Sequence, residues 1–297
     1  MSRTKQYKVG DLHFRIIFKG DNNNESLLPS FDVFEVETTD TPLIFTLTVD
    51  DSFLPSNKGE EIGQFDCGGT NHGVYQTGNG DYQILISDVN ERKCSLLQAK
   101  KDFSEGTVAL TGNWNMRNFG LNNTIMMMYA FSSVEYGVLL MHASVIRKDG
   151  KGYLCLGKSG TGKSTHTQLW LKHIEGTDLM NDDNPVVRYN NGKTTIYGSP
   201  WSGKTPCYRN IKAPIGAFLQ LKQAPYNKIR RQTIIEAFAS MLPSCSVMKW
   251  DKRIHGTICD TISKVMNVVP NYILECLPDE AAARLSYSTM SGKDEMC

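Results

Sequence analysis

Neither charge dominates this 297-residue chain: 32 Lys and Arg stand against 31 Asp and Glu, a net charge of +1. The basic surplus that binds nucleic acid or an anionic membrane is missing, so neither is an expected partner. No CxxC pair occurs, and the eight cysteines are scattered at 67, 94, 155, 207, 245, 259, 276 and 297. Such spacing argues against a zinc site and against a disulfide framework, and is what reduced thiols in a cytoplasmic protein look like. No apolar run approaches the ~20 residues that span a bilayer; TIMMMYAF at 124–131 is among the longest. The opening MSRTKQYKVGDLHF has no apolar core of signal-peptide length. Internal repeats and low-complexity linkers are also lacking. The remaining composition, 40% hydrophobic and 21% charged, is that of a globular chain with room for one large or two modest domains.

Two kinds of periodicity divide the chain. Residues 1–115 read as a β-rich domain: YKVGDLHFRIIF, TPLIFTLTV, HGVYQ, DYQILISDV, CSLLQAK and TVALT are short, often alternating and separated by turn signals. Asn79-Gly80 marks a hairpin. LNNTIMMMYAFSSV (121–134) reads as a helix that Asn122 or Asn123 caps, its methionines filling a core. From 137 onward strand, loop and helix alternate, so residues 116–297 are expected to form an α/β domain. In its last third, strands are expected at 215–221 and 272–277, and helices at 233–242, 253–269 and after Pro278.

The sharpest signal is GKSGTGKST, residues 157–165. Gly157, Gly162, Lys163 and Ser164 satisfy G-x-x-x-x-G-K-[ST], with an apolar strand candidate before and a helix candidate after, the context the motif requires. Glycines such as Gly157, Gly160 and Gly162 let successive amides point inward as an anion nest, to which Ser159, Thr161 and Thr165 contribute backbone. The start of the following helix adds partial positive charge. Lys163 is expected to bridge the β- and γ-phosphates, and Ser164 to ligate Mg²⁺. A glycine-rich turn with no ligand is the plain alternative, but it has no use for Lys-Ser at that place.

Two hairpins bring further residues to this loop. If Lys148 and Lys151 flank the Asp149-Gly150 turn, His142 falls opposite Gly157. A histidine there either orients a carboxylate or touches a phosphate, or is a satisfied core histidine. If Asn190 and Lys193 flank Asn191-Gly192, Asp183 faces Pro200 and Asp182 faces Trp201, which sets SPWSGK (199–204) beside both acids. Adjacent acids at a strand end suit a division of labour: one supports Mg²⁺, the other accepts the proton of an attacking hydroxyl. Side chains of neighbours in a strand point to opposite faces, so the two do not share one role. DDNP also has the chemistry of a surface turn. Lys204 and Arg209 are the next cations, either neutralising a phosphoryl group or solvated; NKIRR (227–231) reads as a solvated face.

LLMHAS ahead of a hairpin, LGKSGTGKST and LMNDDNP together resemble the catalytic domain of HPr kinase/phosphorylase, of the phosphoenolpyruvate-carboxykinase-like class. The resemblance is strong over about 140–205 and extends to about 285. It implies an α/β fold with a mixed sheet. It implies Asp183 as general base and acid, His142 interacting with it, and Asp182 supporting the metal or the phosphates. The glycine-rich signature that those kinases carry beyond the aspartates is replaced here by GSPWSGKTPCYRNIKAP, and the β-rich N-terminal part does not match their regulatory domain.

The expected protein is thus an ATP- and Mg²⁺-dependent kinase acting on a hydroxyl: a serine of a protein or peptide by resemblance, or a small metabolite. Its expected catalytic residues are Asp183, His142 and Lys163. Its nucleotide would be held by residues 157 and 159–165 with Lys204, and its metal by Ser164 and Asp182. The resemblance also allows a homo-oligomer. Two other readings stay open: a phosphoenolpyruvate carboxykinase, and a nucleotide-binding sensor without transfer.

Overall fold

The computed structural model describes residues 2–55, 57–66, 71–203 and 205–292. Two compact units divide the chain, Met1–Ser133 and Val134–Cys297.

In the first unit, strands β1 (Ser2–Val9), β2 (Leu12–Lys19), β3 (Glu35–Val36), β4 (Leu43–Val49), β5 (Glu60–Asp66), β6 (Asn71–Gln76), β7 (Tyr82–Ser87), β8 (Lys93–Ala99) and β9 (Glu105–Leu110) make one sheet. Its order is β3-β1-β2-β4-β9-β8-β7-β6-β5. Alternation drives it: Leu12, Phe14, Ile16 and Phe18 of β2 are all buried while the residues between them are half-buried. Phe14 stacks on Phe45 at 4.7 Å and meets Tyr129 edge-on. The hairpin expected at Asn79-Gly80 joins β6 to β7, through a longer connection that sets Gln76 opposite Tyr82.

Helix α1 (Trp114–Ser132) packs on this sheet. It begins well before the expected 121, because Asn113 caps it by accepting from the Met116 amide at 3.1 Å. Asn123 lies inside the helix and donates back to the Phe119 carbonyl at 2.9 Å. The division between units therefore falls after Ser133, not near 115. The expected boundary separated α1 from the strands β4, β8 and β9 against which it packs.

In the second unit, strands β10 (Val138–Leu140), β11 (Ala143–Lys148), β12 (Lys151–Leu156), β13 (Asp178–Asp183), β14 (Val186–Asn190), β15 (Lys193–Tyr197), β16 (Lys212–Gln223), β17 (Lys228–Arg231) and β18 (Asn271–Cys276) are accompanied by four helices. These are α2 (Lys163–His173), α3 (Ile234–Met241), α4 (Lys252–Val268) and α5 (Glu280–Ser291). The sheet is mixed, in the order β10-β14-β15-β16-β12-β11-β13, and β18 adds beside the far half of β16 with β17 outside it. Strands β12, β16 and β18 are mutually parallel, β11 runs against them, and β13, antiparallel to β11, runs in their direction again. The unit is thus α/β with a mixed sheet.

One face of this sheet is covered by α2 and α5 over Tyr153, Cys155, Ala217, Leu219, Leu221 and Leu274. Trp170 is fully buried in that layer, and its Nε1 donates to Ser286 Oγ at 2.9 Å. His166 Nε2 lies 3.0 Å from the same oxygen. Burial lowers the His166 pKa to about 4, so the ring is neutral and locks α2 to α5. Among the described residues no helix is long and apolar enough to cross a membrane.

Candidate functional site

Strand β12 runs apolar and buried up to Leu156, then the chain turns through residues 157–162 into α2. Three glycines make this turn possible. Gly157 (φ +149°), Gly160 (φ +81°) and Gly162 (φ +99°) occupy backbone regions that side chains rarely adopt. A Cβ on Gly157 would strike Thr161 Oγ1, whereas at Gly160 and Gly162 it would meet open space. Thr161 Oγ1 donates to the Lys158 carbonyl at 2.8 Å and holds the loop closed. Helices α1, α3, α4 and α5 each start on a side-chain cap, from Asn113, Thr233, Asp251 and Asp279. Helix α2 starts on Gly162, so among the described residues no side-chain cap satisfies its first-turn amides at Lys163, Ser164 and Thr165. Ser159 and Thr165 are exposed on either side of this turn.

Lys163 is nearly buried, at 9% exposure, and reaches back under the loop. Its Nζ donates to the Gly157 carbonyl at 2.8 Å, lies 3.4 Å from the Lys158 carbonyl, and sits 2.9 Å from His142 Nε2. Burial lowers its pKa, opposed by the nearby charges of Asp183 and Asp182. With the ammonium donating, His142 Nε2 accepts and Nδ1 carries the proton. Nδ1 is 2.8 Å from Asp183 Oδ1. Lys163, His142 and Asp183 therefore form one continuous hydrogen-bonded row.

A second contact runs beside the first. Ser164 Oγ donates to Asp182 Oδ1 at 3.0 Å. Asp182 is buried, at 5% exposure. Ser164 of α2 thus meets Asp182 of β13 directly, while Lys163 reaches Asp183 through His142.

The strands explain why. The β11–β12 register runs from Lys148↔Lys151 to Ser144↔Cys155, as the Asp149-Gly150 turn implies, which carries His142 to the start of the loop. β13 then pairs with β11, setting Ala143 opposite Asp183 and Ser144 opposite Asp182. The His142 amide donates to the Ser244 carbonyl at 2.6 Å, and Met141 bridges to Cys245, so the segment after α3 fixes the backbone of the histidine.

The second hairpin differs from expectation. Asn190↔Lys193 to Val186↔Tyr197 follow the implied register, but it does not continue to the acids. Asp183 bridges Ser202 rather than facing Pro200, and the Asp182 carbonyl accepts from the Gly203 amide at 2.5 Å rather than facing Trp201. The cause is a break between β13 and β14 at Asn184-Pro185, with Asp183 itself at φ +142°. That conformation is costly for a residue with a Cβ, by about 1–3 kcal/mol. The segment 199–203 still lies beside both acids.

Several residues that hold this geometry carry no local signal in the sequence. Asn184 Nδ2 donates to Asp183 Oδ2 at 2.8 Å. Buried Ser199 donates to the Asn184 carbonyl at 2.6 Å and takes a bond from buried Asn181 at 3.2 Å. Ser202 Oγ lies 3.1 Å from the Asp182 carbonyl. Only the correct strand pairing reveals them.

Of the expected cations, Lys204 lies outside the described residues. Arg209 is at the other end of β13, paired with Asp178 at 2.7 Å. Burial works to raise the Asp178 pKa, but Arg147 and Arg209 hold it below its ordinary value. Arg209 is thus part of an ion cluster remote from Asp183. Residues 228–231 form β17, and Arg230 pairs with Glu236 of the α3 cap at 2.7 Å.

No protein-family model and no curated protein matches the chain. Among solved structures, the HPr(Ser) kinase/phosphatase from Coxiella burnetii is similar to part of it, at 15% identity and a TM-score of 0.30. That similarity covers 50% of this chain and 97% of the other. The functional reading rests on the side-chain geometry.

Proposed function

We propose that residues 134–297 form a phosphotransferase that moves the γ-phosphoryl group of ATP, with Mg²⁺, to a hydroxyl, foremost a serine of a protein or peptide. The observation that carries this is the row Lys163–His142–Asp183 set against the contact Ser164–Asp182. An anion-binding cation and a carboxylate oriented by an imidazole suit hydroxyl phosphorylation.

The residues fit the groups they would hold. The open glycines at 160 and 162 and the uncapped first turn of α2 suit phosphate oxygens. Ser164 Oγ and Asp182 Oδ1 are hard oxygen donors of the number Mg²⁺ takes from protein when phosphates and water supply the rest. When bound, Mg²⁺ supplies charge neutralisation at the phosphates.

Each residue then has a task. Lys163 offsets negative charge on the phosphates. His142 orients Asp183 by donating from Nδ1 to Oδ1, which leaves Oδ2 to take the hydroxyl proton. Asn184, at 2.8 Å from Oδ2, limits rotation of that carboxylate.

Incubation with γ-labelled ATP, Mg²⁺ and a lysate of the source cell tests this. A labelled serine on a protein or peptide, absent with Asp183→Asn, is expected. Release of free phosphate alone, at equal slow rates for both proteins, overturns it in favour of a nucleotide-binding sensor.

A further inference from the structure

The loop lies within a row of strands, and its two sides differ. Across the sheet the order is β18-β16-β12-β11-β13. The acids stand on the β13 side of the loop. On the other side, β16 and β18 end at Gln223 and Cys276, paired with each other and parallel to β12, so their carboxyl ends share the edge from which the loop leaves. Ligands of open α/β sheets sit at that edge.

The loop is tied to the β16 side by Gln223, whose Nε2 donates to the Gly160 carbonyl at 3.3 Å. Three residues farther on, within about 10 Å of chain, Tyr226 is 50% exposed and Leu277 beyond β18 is 39% exposed. Tyr226 is not loosely placed. Its hydroxyl donates to Glu275 Oε2 at 3.2 Å, while Lys222 holds Oε1 of the same carboxylate at 2.9 Å. Asn227 accepts from the Leu277 amide at 2.8 Å and donates to Asp279 at 2.9 Å, and the Ala224 amide donates to the Cys276 carbonyl at 3.1 Å. The turn 224–227 is thus stitched to the turn that opens α5. An aromatic ring held at one end, with half its surface in water, is a platform whose ordering cost is met before a ligand arrives.

We propose that this ledge receives the nucleobase of a nucleoside triphosphate, stacked on Tyr226 with Leu277 at its flank, while the phosphates occupy the loop. The proposal rests on the reading of the loop as a phosphate site. It gives the nucleotide a direction: base toward β16 and β18, terminal phosphate toward the acids.

The test is calorimetric binding of ATP and of inorganic tripolyphosphate, each with Mg²⁺, to wild type, Tyr226→Ala, Tyr226→Phe and Lys163→Ala. Tripolyphosphate has no base, so it reads the loop alone. Loss of base stacking costs about five- to 150-fold in affinity. Tyr226→Ala is expected to weaken ATP by that factor and leave tripolyphosphate unchanged, and Tyr226→Phe to keep wild-type ATP affinity. Unchanged ATP affinity in Tyr226→Ala, with tripolyphosphate binding to wild type and lost in Lys163→Ala, overturns the ledge and leaves the loop standing. So does unchanged ATP affinity with slower labelling of the acceptor, which assigns the ring to the acceptor instead. Equal losses of both ligands in Tyr226→Ala also overturn it. Absence of tripolyphosphate binding to wild type removes the phosphate loop and the ledge together.

Discussion

Asp183→Asn separates proton transfer from every other task of the site. Among the described residues the carboxylate has two side-chain partners: His142 Nδ1 at 2.8 Å on Oδ1 and Asn184 Nδ2 at 2.8 Å on Oδ2. In the variant the amide oxygen must face His142. The reverse would put a proton on Nε2, 2.9 Å from the Lys163 ammonium. The new NH₂ then faces Asn184, whose amide turns to present its oxygen. All hydrogen bonds survive, and Asn is among the residues that tolerate positive φ best. The stability change is therefore expected to stay within about 1 kcal/mol, and ATP affinity to remain near wild type. The proton acceptor, however, is gone. Base catalysis of this kind is worth about 10²–10⁴-fold, or about 2.7–5.4 kcal/mol of barrier at 1.36 kcal/mol per decade. Single-turnover transfer from γ-labelled ATP, run beside calorimetric ATP binding and a thermal melt, measures all three quantities. A transfer rate within about tenfold of wild type, a tenth of the smallest loss expected, refutes the assignment of the base. Loss of ATP affinity in step with rate refutes the separation of roles.

Gly157→Ala should bring a Cβ onto Thr161 Oγ1 at φ +149°; the strain should lower folding stability by about 1–3 kcal/mol in urea unfolding, and a midpoint equal to wild type would show that the loop accommodates the Cβ. His166 has an ordinary pKa of 6.5 that burial lowers to about 4. Its ring is neutral when folded, while the unfolded chain takes up a proton below 6.5. Its stabilisation is therefore full above pH 6.5 and is lost as pH falls toward 4, a total of about 3 kcal/mol. Urea unfolding of wild type and His166→Gln at pH 7 and pH 4.5 checks this: the difference between them should shrink in acid, and a constant difference counts against it. Ser286→Ala strands Trp170 Nε1 and His166 Nε2, which predicts a loss of about 2 kcal/mol in the same assay; a denaturation midpoint equal to wild type would show that the α2–α5 lock is dispensable.

Legibility in the sequence followed the range of the forces involved. Short-range turn chemistry was readable. Asp149-Gly150 and Asn191-Gly192 place Lys148 opposite Lys151 and Asn190 opposite Lys193 as expected. Strong helix signals were also readable, since α3 and α4 lie within a residue or two of their expected spans and are capped by Thr233 and Asp251. The doublets Lys163-Ser164 and Asp182-Asp183, with His142, were found by motif and register and do come together.

Features set by tertiary pairing were missed. No propensity places Asp183 at positive φ or moves its neighbour from Pro200 to Ser202; that follows from β13 pairing with β11 while the chain breaks at Asn184-Pro185. Nothing in the residues around Ser244 announces that its carbonyl will hold the His142 amide. The start of α1 was misplaced for a related reason. Gly120 and Asn122–Asn123 look like breakers, yet Gly120 sits where a Cβ would be 2.9 Å from the Cys94 carbonyl, so close packing selects it.

Two consecutive residues on α2 and two on β13 behave as a two-pin connector, one pin direct from Ser164 to Asp182 and the other passing through His142. Both pins share α2 and β13, so a one-residue insertion or deletion in either withdraws both, and the second pin also needs His142 in place. No rotamer change in a single side chain restores the fit. The spacing between 157 and 164 and between 178 and 183 is therefore what the site's geometry depends on.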